Sequence, residues 1–181
     1  MVSFIDSRMK VIDCPRYGPP GVVQIAERPV PRLRRGEALV RVVVSTVNTA
    51  DARVRAFDMP SPTIAVMGRL ALGFRGPRAR VLGTEFAGIV HEVASDVSHV
   101  APGDRVVGTL GVRFGAHAEY VARDADSLVA VPDHISLESA VALPFGACTA
   151  LFAATIGTAQ ISHSAIQRDM SVLRTLSKSQ G

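Results

Sequence analysis

The chain predicts a mainly β fold, a partly open barrel or sandwich with short helices, followed by a C-terminal helical stub. Two observations carry this. Stretches of strand length that mix β-branched with polar residues recur from Met9 to about Pro132, each closed by a Gly- or Pro-containing turn. Beyond Pro132 the pattern changes to a run rich in Ala and Leu behind a serine suited to capping a helix.

The strands are expected at Met9–Cys14, Val22–Glu27, Ala38–Val47, Phe86–Ala94, Asp104–Thr109 and Ala118–Arg123. Turns are expected at Tyr17-Gly18-Pro19-Pro20-Gly21, Pro29-Val30-Pro31, Arg35-Gly36 and Ala101-Pro102-Gly103-Asp104, where proline presets φ and glycine accepts positive φ. Gly83 and Gly88 bracket a strand entry where the missing Cβ lets backbones approach. Ser45-Thr46-Val47-Asn48 ends a strand in polar residues and leads into a short helical turn. Ser136 is the expected N-cap of a helix with Glu138 in its first turn. Pro144, which lacks an N–H and crowds the preceding turn, then makes a kink or a second helix from about Phe145. Residues 161–181, polar with scattered apolars, read as a loose tail or a short amphipathic helix.

Composition narrows the function classes. With 181 residues, 48% hydrophobic and 20% charged, the chain suffices for one well-buried domain plus a remnant. The net charge of +4 does not single out a nucleic-acid partner, because aromatics are 5%, Trp is absent and the basic residues are spread along the chain. The arginines 32, 34, 35, 69, 75, 78 and 80 sit beside Pro or Gly in expected loops, read as solvated charge or as phosphate contacts. Cys14 and Cys148 stand far apart in no C-x-x-C spacing and read as buried thiols. Met1–Arg8 contains Asp6 and no apolar core, which argues against a secretory signal and for a cytoplasmic address. The uncharged run from Ala140 to Gly157 contains Pro144 and Gly146 and reads as buried helix rather than a membrane span.

Several chemistries have no foothold. No G-x-G-x-x-G turn is present, and with Lys10 and Lys178 the only lysines there is no Walker-type G-K-[ST]. The five histidines never fall at i, i+4, and His91-Glu92 lacks the second histidine of H-E-x-x-H. His117 reads as a partly exposed strand residue. No serine occupies a G-x-S-x-G elbow.

What stands out is a set of motifs in fixed order: Ser45-Thr46-Val47-Asn48-Thr49-Ala50-Asp51-Ala52-Arg53-Val54-Arg55; Leu82-Gly83-Thr84-Glu85-Phe86-Ala87-Gly88-Ile89-Val90; Pro102-Gly103-Asp104-Arg105-Val106; Gly115-Ala116-His117-Ala118-Glu119-Tyr120; and Leu143-Pro144-Phe145-Gly146-Ala147-Cys148-Thr149-Ala150. The ordered set resembles the N-terminal GroES-like catalytic domain of the medium-chain dehydrogenase/reductases. Within that family it is most similar to the zinc-free quinone oxidoreductase-like branch, which also holds NAD(P)-dependent alcohol dehydrogenases. The resemblance runs from Met9 to about Ala159. It divides the chain into an N-terminal extension (1–8), a GroES-like domain (9–135), interdomain helices (136–159) and an atypical tail (160–181) where relatives continue into a Rossmann domain.

The resemblance implies hydride transfer from NADPH or NADH to a quinone, or to an activated alkene or carbonyl. In zinc-dependent relatives the Asn48 and Phe145 positions look like cysteine ligands and the Thr84 position like a histidine ligand, so no zinc is expected here. Asn48 and Asp51 are the candidate catalytic residues; Asn48 and Thr149 are the candidate nicotinamide contacts. Each has a structural alternative: Asn48 as a turn-capping amide, Thr149 as a helix hydroxyl bonded to its own backbone. Arg53 and Arg55 read as surface partners of Asp51, and Phe57, Phe86 and Phe145 as pocket walls or core. The expected partner is a small quinone or carbonyl compound, with no nucleic acid and no membrane, and with self-association through residues 140–156. Without the nucleotide-binding half, a truncated chain is expected to hold the cofactor weakly, if at all. A catalytically silent GroES-like binding module is the alternative.

Overall fold

The computed structural model describes residues 8–155. The expected extension before Arg8, the tail from 160 and the last residues of the interdomain segment lie outside that range. A hairpin of β1 (Arg8–Asp13) and β2 (Gln24–Pro29), bridged at Val11–Ala118 and Asp13–Val81 to the rest of the chain, accompanies an open five-stranded antiparallel sheet of order β6-β3-β4-β5-β7. Its strands are β3 (Glu37–Ser45), β4 (Glu85–Val93), β5 (Arg105–Thr109), β6 (Tyr120–Asp124) and the two-residue β7 (Val129–Ala130). The helices are α1 (Thr49–Ala56), α2 (Pro62–Leu72), α3 (Leu137–Val141) and α4 (Cys148–Thr155), with a wide π-type turn at Leu143–Ala147 between the last two. No helix among the described residues is long and apolar enough to cross a membrane.

Side-chain alternation explains the layering. On β4, Phe86 and Val90 point to one face and join Val40, Val106, Leu110, Val121 and Leu128; Ala87 points to the other, where Val107, Leu137, Ala140 and Val141 cover it. Helix α3 therefore closes one face of the sheet, capped by Ser136, whose Oγ accepts from the Ser139 N–H. Gly88 permits the β3–β4 approach, since a Cβ there would lie 2.1 Å from the Arg41 carbonyl oxygen. The Pro102-Gly103 turn closes with Asp104 N donating to the Ala101 carbonyl, and Gly103 N ties it to β4 by donating to the Val90 carbonyl.

Some expectations are revised. The second helix after Pro144 starts at Cys148 rather than Phe145, because the wide turn intervenes. Cys14 is buried, but Cys148 is only half-buried. Helix α2 occupies a stretch with no assigned element and carries Arg69, expected in a loop. The Arg69 guanidinium packs 3.9 Å from the Phe57 ring centroid and 4.9 Å from that of Tyr17, a cation–π clamp that holds the helix.

The β1 pattern places Asp13 inward, 1% exposed, between two arginines: Arg28 Nη2 donates to Oδ1 at 2.7 Å and Arg80 Nη2 to Oδ2 at 2.5 Å. Burial alone pushes this carboxyl up. The two guanidiniums outweigh it and hold the group below the ordinary carboxylate value. A carboxyl depressed in the folded state adds stability that is complete above the unfolded value, ~3.9, and is lost as pH falls through the folded value. Asp13→Asn is thus expected to flatten the acid limb of the stability curve below about pH 4. Urea midpoints measured against pH test this, and superimposable acid limbs would contradict it.

Candidate functional site

The site is assembled where β3 ends, α1 begins and β4 starts. Asn48 is the N-cap of α1. Its Oδ1 accepts from Ala50 N at 2.9 Å and Asp51 N at 3.2 Å, and Asp51 Oδ2 returns the bond by accepting from Asn48 N at 3.1 Å. This is a capping box, so Asn48 does act as a capping amide. The cap uses only its oxygen, however. Asn48 Nδ2 donates to Thr84 Oγ1 at 2.7 Å, across 36 residues of sequence.

Asp51 is 2% exposed, and its other oxygen accepts from Gly83 N at 2.9 Å. Gly83 sits at φ +91° and is packed so closely that a Cβ would fall 2.6 Å from His117 Cδ2 and 2.7 Å from His117 N. Asp51 therefore fixes the loop before β4 and the start of α1 together. Arg53 and Arg55 are not its partners. Arg55 turns instead to the Gly18 carbonyl, and Asp51 spends its oxygens on backbone N–H groups. His117 lies in a bend before β6 rather than in a strand, and its Nε2 donates to the Thr46 carbonyl at 2.9 Å.

Glu85, the first residue of β4, is 2% exposed. Its Oε2 accepts from Thr46 Oγ1, and its Oε1 accepts from Phe145 N at 2.5 Å. The turn before α4 is thereby bonded to the residue next to Thr84. Thr149, exposed on α4, follows Phe145 by about one helical turn. The structure thus joins Asn48 to Asp51 and Thr84 directly, and links Thr149 to the same rim through Glu85 and Phe145. Of the three phenylalanines, Phe86 is core, Phe145 is 45% exposed, and Phe57 is the left-handed C-cap of α1.

Sequence reasoning treated Thr84 as a position rather than a donor and gave Glu85 no role. Thr84 is 8% exposed and its Oγ1 accepts from Asn48. Among the described residues nothing takes its hydroxyl hydrogen or the second Nδ2 hydrogen of Asn48. A buried hydroxyl in an ordered motif beside a strand entry was the available signal.

Of the three positions that look like zinc ligands in relatives, Asn48 and Thr84 meet directly, as an amide and an alcohol, while Phe145 is tied in only through its backbone N–H to Glu85 and offers a phenyl side chain. That donor set does not fit zinc, which takes thiolate, imidazole or carboxylate ligands. Among the described residues no three His, Cys, Asp or Glu side chains gather closely enough to share an ion. A cavity of about 680 Å³ opens between the β1–β2 hairpin, β3 and α1, lined by Val11, Ile25, Val43, Leu82 and His117 among others and reaching the site at Asp51. Neither Asn48 nor Thr149 lines it.

Residues 34–133 match the alcohol dehydrogenase GroES-like domain. The trans-enoyl reductase thnE of Trichoderma harzianum is 32% identical over 74% of this chain and 34% of its own length. The structure of the quinone oxidoreductase from Coxiella burnetii superposes with a TM-score of 0.69 at 31% identity, covering 81% of this chain and 44% of that one. Mycobacterial Rv1454c complexed with NADPH gives a TM-score of 0.61 at 27% identity, over 81% of this chain and 41% of that one. The chain thus spans about a third of its first curated relative and under half of either structure. With its open antiparallel sheet, its ordered motifs and this match over more than half its length, the chain belongs to the alcohol dehydrogenase GroES-like domain family of the medium-chain dehydrogenase/reductases.

Proposed function

We propose that this chain is the substrate-side domain of a zinc-free oxidoreductase using NADPH or NADH, acting in the cytoplasm on a quinone or an activated alkene or carbonyl. The observation that carries the reading is the Asn48–Thr84 pair, bonded at 2.7 Å and holding donor hydrogens not spent within the described residues. A reduced nicotinamide supplies a hydride when bound. Asn48 Nδ2 and the Thr84 hydroxyl offer hydrogen bonds to an acceptor oxygen whose negative charge grows as it is reduced, the task a Lewis acid performs in zinc enzymes. Thr149, on the helix tethered beside this rim, holds the nicotinamide side. Asp51 acts through Asn48 and Gly83, holding the amide in place.

The NADPH complex of a structural relative and the quinone and enoyl reductase relatives support the substrate and cofactor classes. Leu143, Phe145 and Leu151 are 37%, 45% and 50% exposed, which supports self-association through the 140–156 segment. A silent ligand-binding module is the second reading, favoured by the apolar cavity of about 680 Å³. Calorimetric titration with NADPH and a quinone-dependent oxidation assay separate the two. Saturable binding, with oxidation lowered at least ~10-fold by Asn48→Ala, is expected of the oxidoreductase domain. Absence of any NADPH binding would assign the module.

A further inference from the structure

We infer that Glu85 is a positioning residue: its buried carboxylate latches the Leu143–Ala147 turn, and with it the helix carrying Thr149, to the strand end that carries Thr84 and Asn48. The role rests on the nicotinamide reading, but the latch itself is independent of it. Three features converge. The carboxylate is 2% exposed, yet among the described residues no Lys, Arg or His lies in ion-pair range of it. A buried carboxylate is expensive to keep unless its oxygens are satisfied, and here neutral donors satisfy both, Thr46 Oγ1 on one side and Phe145 N on the other. These partners lie 39 and 60 residues away, so the group serves no local turn or cap; it joins two distant segments.

The Phe145 N–H is in the position to need such a partner. Pro144 removes one donor from the helical ladder and the backbone widens into the π-type turn, where regular i to i−4 bonding is interrupted. Glu85 supplies the acceptor that turn lacks. Because Thr84 precedes it directly and bonds Asn48, any movement of the Glu85 backbone or carboxylate is transmitted to both halves of the proposed nicotinamide site.

Amide hydrogen exchange on the 181-residue chain tests the latch without any cofactor. The Phe145 amide is expected to be protected in the unaltered chain. Glu85→Met keeps the bulk but removes both acceptor oxygens, and it is expected to speed Phe145 exchange at least ~10-fold while the β4–β5 ladder amides change little. Glu85→Gln retains an acceptor oxygen and is expected to restore protection to within ~3-fold of the unaltered chain. An unprotected Phe145 amide in the unaltered chain, or unchanged Phe145 exchange in Glu85→Met, would overturn the latch; the first readout holds even if that variant fails to fold. NADPH titration then tests positioning: Glu85→Met is expected to weaken binding at least ~5-fold and Glu85→Gln to recover it. Equal affinity in all three chains would overturn the positioning role, whereas no binding by the unaltered chain would overturn the nicotinamide reading and leave the exchange result standing for the latch.

Discussion

Asp51→Ala is expected to destabilise the chain by about 3 kcal/mol, the sum of a lost helix cap and two backbone donors deprived of their acceptor. The carboxylate is 2% exposed and receives the N–H groups of Asn48 and Gly83 at 3.1 and 2.9 Å, so its removal leaves both without their acceptor in a space water scarcely reaches. Gly83 cannot adjust freely, because His117 packs directly on it. Asp51→Asn is expected to lose less, since one oxygen remains, though its NH₂ must face one of the same N–H donors. Urea denaturation checks both values. A loss below about 0.5 kcal/mol for the alanine variant would mean that the box is dispensable and that Asn48 is held otherwise.

The second large effect is in the core. Phe86→Ala is expected to cost about 3–5 kcal/mol, the usual range for deleting a buried aromatic ring. Phe86 is fully buried among Val40, Val90, Val106 and Leu110, and its ring fills the space above Gly108, where a Cβ would come within 2.8 Å of Phe86 Cζ. Since native stability is typically about 5–15 kcal/mol, the variant sits near the limit of folding. Thermal and urea unfolding measure this directly; a loss under about 1.5 kcal/mol would show that the sheet collapses to fill the void.

These two residues also show what was legible in sequence. Phe86 lies on a strand whose β-branched pattern and bracketing glycines announced it, and all six expected strands stand within two residues of their observed bounds. The largest displacement is that of β2, shifted by two residues at both ends because Pro20–Val22 forms a 3-10 turn first. Helix α2 escaped notice for a physical reason. None of its residues is buried, and Ile64, Val66, Met67 and Leu70 are all exposed, so the apolar stripe that normally reveals a helix has no packed face to mark. Only Ser61 before Pro62 signalled its start.

At the site, the capping alternative for Asn48 was readable because a cap bonds within three residues of sequence. Thr84 and Glu85 were not, because what gives them meaning is contact with residues 36 to 60 positions away. Their motif marked the place without marking the donor or the acceptor.

Whether Asn48 and Thr149 face a reduced nicotinamide is decided by a ¹⁵N-resolved titration of the chain with NADPH, following the Asn48 side-chain amide together with the backbone amides of Thr84, Phe145 and Thr149. Saturable shifts concentrated at these four residues are expected, with the Asn48 Nδ2 signal moving furthest. Shifts confined to the cavity beneath the β1–β2 hairpin, or none at any residue, would contradict the nicotinamide reading.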